Sequence, residues 1–213
     1  LVFICNSRST LKLWQKENTV TSDKIERFTV GRDREMDLYL AEFDVLGNLA
    51  HATMLETIGL LTAEDLTALR AELKAIHEQI RRGEFVIEEG VEDVHSQVEF
   101  MLGHAGKKIH SGRSRNDQVA VDIKLYLRAE VLNIRNEAKQ LFDLLIEKSN
   151  QFNNKLMPGY THLQIAMPSS FGLWLGAYAE SLTDDLELLA AAYQVANKNP
   201  LGSGAGYGSS FPL

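Results

Sequence analysis

The chain has 213 residues, 45% hydrophobic and 24% charged, with a net charge of −7 at pH 7. That is enough apolar material for one sizeable core or two modest ones, and the acidic balance, with basic residues interleaved, excludes nucleic acid as the main partner. One cysteine, Cys5, excludes an internal disulfide and a cluster of thiolate zinc ligands, and no stretch approaches the roughly 18 apolar residues of a membrane span. The apolar start Leu1–Cys5 is too short for a secretion signal, so neither export nor insertion is expected and the single thiol fits a cytoplasmic setting.

Leu1 to Thr21 has no period and is expected to be poorly ordered. Asp23 to Phe28 reads as a short helix broken at Gly31. Met36, Leu40, Phe43, Ala50, Met54 and Ile58 then predict a longer one that stops at Gly59. Thr62 is the N-cap of a third, whose buried face is Leu66, Leu69, Leu73, Ile76 and Ile80 and which ends at Gly83. The stretch 85–90 is an acidic linker. Asp93 to Leu102 resumes helical spacing, and Gly103 to Gly106 is expected to end it.

From Asn116 to Met157 there is neither glycine nor proline, and an apolar stripe runs through Ile123, Leu127, Val131, Ile134, Leu141 and Leu145. The span 116–150 predicts a rod of about 50 Å, capped by Asn116 or Asp117. Its charges, Asp122, Lys124 and Arg128 among them, are ones a bilayer would reject, so its partners are other helices rather than lipid. Met157 to Pro168 reads as an irregular stretch bracketed by prolines, with Pro168 in the first turn of a second rod reaching Asn197. The two rods are expected to be antiparallel neighbours. Glycines at 202, 204, 206 and 208 mark a close-packed or mobile segment. No strand is predicted. The expected fold is all-α: a poorly ordered segment 1–21, a small N-terminal helical lobe over 22–112, and over 113–213 the first long helices of a central helical bundle.

The chemistry concentrates at the polar turn Ser-Gly-Arg-Ser-Arg-Asn-Asp-Gln (111–118). Arg113, Arg115, Asn116 and the Ser111 and Ser114 hydroxyls sit at a helix N-terminus, which suits a carboxylate or phosphate; the plainer reading is an N-cap loop with solvated arginines. His162, between Thr161 and Gln164 in a non-helical segment, is a candidate for proton transfer or simply a structural histidine. His95, two residues after Asp93, is either half of a metal pair or an oriented imidazole. No third ligand at sensible spacing is evident, so a metal is not expected.

Taken together, the stretches 111–119, Met-Pro-Gly-Tyr-Thr-His-Leu-Gln (157–164), Val-Glu-Asp-Val-His-Ser (91–96) and Asn-Pro-Leu-Gly-Ser-Gly-Ala (199–205) resemble the argininosuccinate lyase family, within the fumarase and aspartase superfamily. The resemblance covers about 11–213. It implies reversible cleavage of argininosuccinate to arginine and fumarate, without metal or organic cofactor, by a cytoplasmic homotetramer whose sites are shared among three subunits. It implies substrate contacts from Ser114, Arg115, Asn116, Thr161 and His95, and an active-site role for His162.

There are departures from the family pattern. Leu13-Trp-Gln-Lys-Glu17 stands where the family has Trp-Gly-Gly-Arg-Phe, Asp33 falls where it has a substrate-binding serine, and the loop at Gly103-His-Ala-Gly106 is shorter. The family's catalytic serine lies on a loop that would fall beyond position 213, so these residues alone are expected to be inactive and to self-associate. A non-catalytic, crystallin-like relative or another lyase of the superfamily are the alternative readings.

Overall fold

The computed structural model describes residues 23–200 together with Gly208, Ser210 and Pro212. The opening segment and most of the glycine-rich stretch lie outside the described residues. The described chain is helical apart from one hairpin, and divides into two compact units: the residues up to Tyr126 with those from Asn199 onward, and Leu127–Lys198. No described helix is long and apolar enough to cross a membrane.

The first unit opens with α1 (Asp23–Thr29) and α2 (Asp33–Met36), then a single 3-10 turn, Asp37–Tyr39, before α3 (Ala41–Thr57). The helix expected to begin near Met36 therefore starts five residues later. The cause is Asp37, whose carboxylate accepts a hydrogen bond from the Val94 amide (3.1 Å) and so ties this segment to a distant helix start rather than to its own axis. Asp33, at the head of α2, is exposed.

α4 (Ala63–Arg81) begins as predicted: the Thr62 hydroxyl accepts from the Asp65 amide and the Asp65 carboxylate accepts from the Thr62 amide, a reciprocal cap. Leu66, Leu69, Leu73 and Ile76 are buried against Val45, Ala52 and Leu55 of α3, and α5 (Val94–Met101) closes this core with Val94 and Val98. Gly103, with φ +61°, ends α5 as expected. Gly106 does not act as a breaker, because a second short helix, α6 (Gly103–Ile109), follows at once. A Cβ at Gly106 would lie 2.5 Å from the Glu99 carbonyl oxygen, so this glycine serves close packing of α6 on α5.

α7 (Arg115–Gln151) runs 37 residues without interruption, about 55 Å. Its cap is Ser114, not Asn116 or Asp117: the Ser114 hydroxyl accepts from the Asp117 amide (3.3 Å) and the Asp117 carboxylate accepts from the Ser114 amide (2.6 Å). Asp117 is the third residue of a capping box, which frees Asn116 to face solvent.

In the second unit the expected irregular stretch is a two-stranded antiparallel hairpin, β1 (Leu156–Thr161) and β2 (Gln164–Ser170). Its loop is two residues long, His162 and Leu163, with φ of +49° and +64°, the left-handed pair that matches strand twist. Two strands have only edges, so Pro158 and Pro168 are tolerated opposite one another where a central strand would reject them. Pro168 thus belongs to β2. The cap of α8 (Phe171–Ala196) is Ser170, whose hydroxyl accepts from the Leu173 amide (3.0 Å). Gly172 brings α8 against the end of α7, since a Cβ there would lie 2.5 Å from the Ser149 carbonyl oxygen. At the other end Arg128 sits 5.8 Å over the Tyr193 ring. Contacts 149 to 172 and 128 to 193 make the two rods antiparallel neighbours, as the sequence predicts.

Candidate functional site

Within the first unit, two sequence motifs far apart in the chain meet. Asp93 caps α5 by accepting from the Ser96 amide (2.7 Å). Arg115, in the first turn of α7, reaches back to both: its Nη2 donates to the Ser96 hydroxyl (3.3 Å) and its Nε is 3.8 Å from Asp93 Oδ2. The turn 111–118 and the stretch 91–96 therefore form one polar surface, held by an arginine whose buried Nε has the Asp93 ion pair and no hydrogen bond. A half-buried arginine beside a helix N-terminus and the Ser114 hydroxyl suits a carboxylate ligand.

His95 is the buried member of this surface. Its ring is an oriented imidazole, but Asp93 does not orient it: Nδ1 lies 2.7 Å from Asp44 Oδ1, a residue 51 positions away on α3. Asp44 also accepts from Gln118 Nε2 (2.7 Å) and from Asn48 Nδ2 (2.9 Å), and Asn48 Oδ1 in turn accepts from Arg113 Nη2. Asp122, one turn beyond Gln118 on α7, is fully buried beside this group with its Oδ2 3.6 Å from His95 Nδ1, and neither of its oxygens receives a hydrogen bond. Burial first, and the neighbouring Asp44 second, push the Asp122 carboxyl up to about 9.

Spacing along the sequence offers no third group beside His95 and Asp93; the fold supplies two from distant positions, since ligating atoms of Asp44, His95 and Asp122 lie within 4.8 Å of one another. A signal was available. Asp44 and Asn48 interrupt the apolar face of α3 at helical spacing, as Gln118 and Asp122 do at the start of α7, and polar residues in a buried stripe must find one another.

Two histidines flank the arginines. His51 Nε2–H donates to the Ser111 carbonyl (2.9 Å), and burial, reinforced by Arg113, brings its pKa down to about 4, so the ring is neutral near pH 7. Burial and then Arg113 and Arg115 lower His110 in the same direction. His95, His110, Arg113 and Gln118 line a cavity of about 10 Å³, room for one water. On the other side of Arg113 an open groove of about 660 Å³ runs between α3 and the start of α7, past His51, Met54, Gly112 and Leu125. Of the sequence candidates, His95, Ser114, Arg115 and Asn116 thus share this unit.

Thr161 and His162 lie on the second unit. Thr161 ends β1, paired with Gln164, and His162 occupies the first loop position; both are exposed. The His162 φ of +49° is the left-handed value that a two-residue hairpin loop requires, and it places the side chain at the tip of the hairpin.

A family model described as Lyase matches residues 13–212. The chain belongs to this lyase family. Among its relatives, proteins named "Argininosuccinate lyase" from Bacteroides thetaiotaomicron and Phocaeicola vulgatus are 67% and 66% identical over 206 residues. Each alignment takes in 95% of this chain and 46% of the relative, so the chain spans about half the length of the curated relatives it matches. Among solved structures, an EDDS lyase variant with bound fumarate superposes with a TM-score of 0.71 at 23% identity, covering 92% of this chain and 39% of that one. A class II fumarase from Schistosoma mansoni gives 0.65 at 19%, covering 85% and 42%. At such identities these structures establish the helical lyase fold alone.

Proposed function

We propose that this member of the lyase family serves the reversible elimination of argininosuccinate to arginine and fumarate. The observation that carries this reading is the two-thirds identity to proteins named for that activity, against under a quarter to the fold neighbours. The chemistry removes a weakly acidic proton from the carbon next to a carboxylate while the carbon–nitrogen bond breaks and the arginine nitrogen leaves with its electron pair. Negative charge gathers on that carboxylate in the transition state, so fixed donors that meet it there lower the barrier.

Arg115, Asn116, exposed at the first turn of α7, and the Ser114 hydroxyl are the donors assigned to that carboxylate; Thr161 is assigned a substrate contact. His162 is assigned the proton transfer or the polarising of the group that performs it, and His95 a substrate contact. Elimination is redox-neutral, so it calls for no electron-carrying cofactor. Under this reading the working form is a cytoplasmic homotetramer. Its support is the second unit, where Leu141, Leu144, Trp174, Tyr178 and Leu188 remain exposed on the two rods.

The test is a chimera in which residues 13–212 replace the matching segment of the Bacteroides thetaiotaomicron relative. Ultraviolet detection of fumarate from argininosuccinate should show turnover within about tenfold of the parent, and His162→Asn should lower it by about 10²–10⁴. A folded chimera without turnover on argininosuccinate overturns the proposal.

A further inference from the structure

The buried group beneath His95 contains more acid than its donors can serve. Asp44 takes three hydrogen bonds, from His95, Gln118 and Asn48, so it is the acceptor of the cluster. Asp122 takes none, although its side chain is 0% exposed. Gly47 is what lets it come so close to α3: a Cβ there would meet Asp122 Oδ1 at 3.3 Å. Two ionised carboxylates side by side in a dry interior repel strongly, and an unpartnered buried carboxylate is among the costliest groups a fold can hold. One proton on Asp122 resolves both difficulties, because Asp122 then donates to Asp44 instead of opposing it.

The charged and titratable groups around the pair are few. His95 faces it from α5, Arg113 from the turn before α7, and Asp37 from the 3-10 turn. Arg113 brings a full positive charge to the same space, which disfavours a divalent cation although the three side chains are close enough to bridge one. The oxygens of Asp44 are already occupied by N–H donors that a metal would have to displace.

We propose that Asp44 and Asp122 hold one proton between them and that, with Asp44 thereby kept as an acceptor, they fix His95 in the tautomer with hydrogen on Nδ1. Nε2 is then left as a lone-pair acceptor on a ring that lines the small polar cavity beside Arg113. Asp44 and Asp122 are positioning residues acting through His95. The tautomer is a property of the chain itself; its use in holding substrate rests on the lyase reading above.

The experiment is nitrogen and carboxyl-carbon NMR of the labelled chain across pH, on the wild type, Asp122→Asn and Asp44→Asn. In the wild type the His95 proton should be on Nδ1, and one aspartate carboxyl should titrate several units above the ordinary carboxylate range. Asp122→Asn should abolish that high titration and leave the tautomer unchanged. Asp44→Asn, which offers an amide donor to Nδ1, should move the proton to Nε2. The proposal is overturned by a wild-type His95 protonated on Nε2, by carboxyls that all titrate in the ordinary range, or by loss of the Nδ1–H signal on adding zinc. The wild-type spectra decide even if a variant does not fold. None of these readouts depends on turnover, so an inactive chimera with the expected spectra would sink the lyase reading and leave this one standing.

Discussion

The two units use the same sequence device, an apolar stripe at helical spacing, with opposite results. On α4 the stripe is covered: Leu69 and Leu73 are both 0% exposed. On α7 much of it is not: Ile134 is 51% and Leu141 50% exposed; on α8 Leu188, beside the stripe, is 73% exposed, and the buried residues are the small ones, Gly172, Ala179 and Ala196. Periodicity therefore reports that a face is apolar and says nothing of what lies on it. The first unit meets the requirement for burial within itself, whereas the second presents a surface that further helices would cover.

The largest test of this contrast is truncation on each side. Leu73→Ala should destabilise the chain by about 2–5 kcal/mol in urea unfolding followed by circular dichroism, because it opens a cavity in a closed core. Leu188→Ala should cost under about 1 kcal/mol in the same experiment while reducing self-association in light scattering. Equal costs would mean that the two stripes are equally covered.

A second comparison separates charges that have work from charges that do not. In the chimera, Arg115→Ala should weaken succinate binding by about 1.5–3 kcal/mol by calorimetry, as loss of a charge-assisted contact does. Lys139→Ala, which removes only an exposed pair with Asp143, should cost about 0–1 kcal/mol. Arg128 would not serve as the control, since it sits over the Tyr193 ring.

The polar interior of the first unit should also show in its pH dependence. Asp122 keeps its proton to about pH 9 when folded but loses it near its ordinary 3.8 when unfolded. The folded state thus holds more protons across that window, and stability falls as pH rises through it, by up to about 1.4 kcal/mol per pH unit. Asp122→Asn should flatten that slope. His51 acts on the acid side with the opposite sign: its folded value of about 4 lies below its ordinary 6.5, so its contribution is present above 6.5 and is lost as pH falls toward 4. Unfolding midpoints across pH for wild type, Asp122→Asn and His51→Gln would check both.

The smallest expected effect is one in which the units should agree. Ser114→Ala and Ser170→Ala each remove a helix cap, and each should cost about 1 kcal/mol in urea unfolding, since capping is a local interaction that does not depend on what covers the helix. A large difference between them would show that one serine has a further partner.

What the sequence by itself determined here is what short-range physics controls. Helical periodicity located the rods, Thr62 with Asp65 announced a cap three residues ahead, Gly59, Gly83 and Gly103 stopped helices, and the 91–96 and 111–119 motifs marked the polar surface that the structure builds from them. The tertiary structure decided what depends on residues distant in the chain. It alone brought Asp44 within reach of His95 across 51 positions and buried Asp122, which in the sequence is one more charge along the rod. It turned the stretch expected to be irregular into a hairpin, because the pairing of Leu156–Thr161 with Gln164–Ser170 supplies backbone hydrogen bonds that no local propensity foretells. The physical reason is common to all three. Whether a side chain or a peptide group meets water or a partner is a property of the packed chain, and spacing along the sequence constrains it only over one or two helical turns.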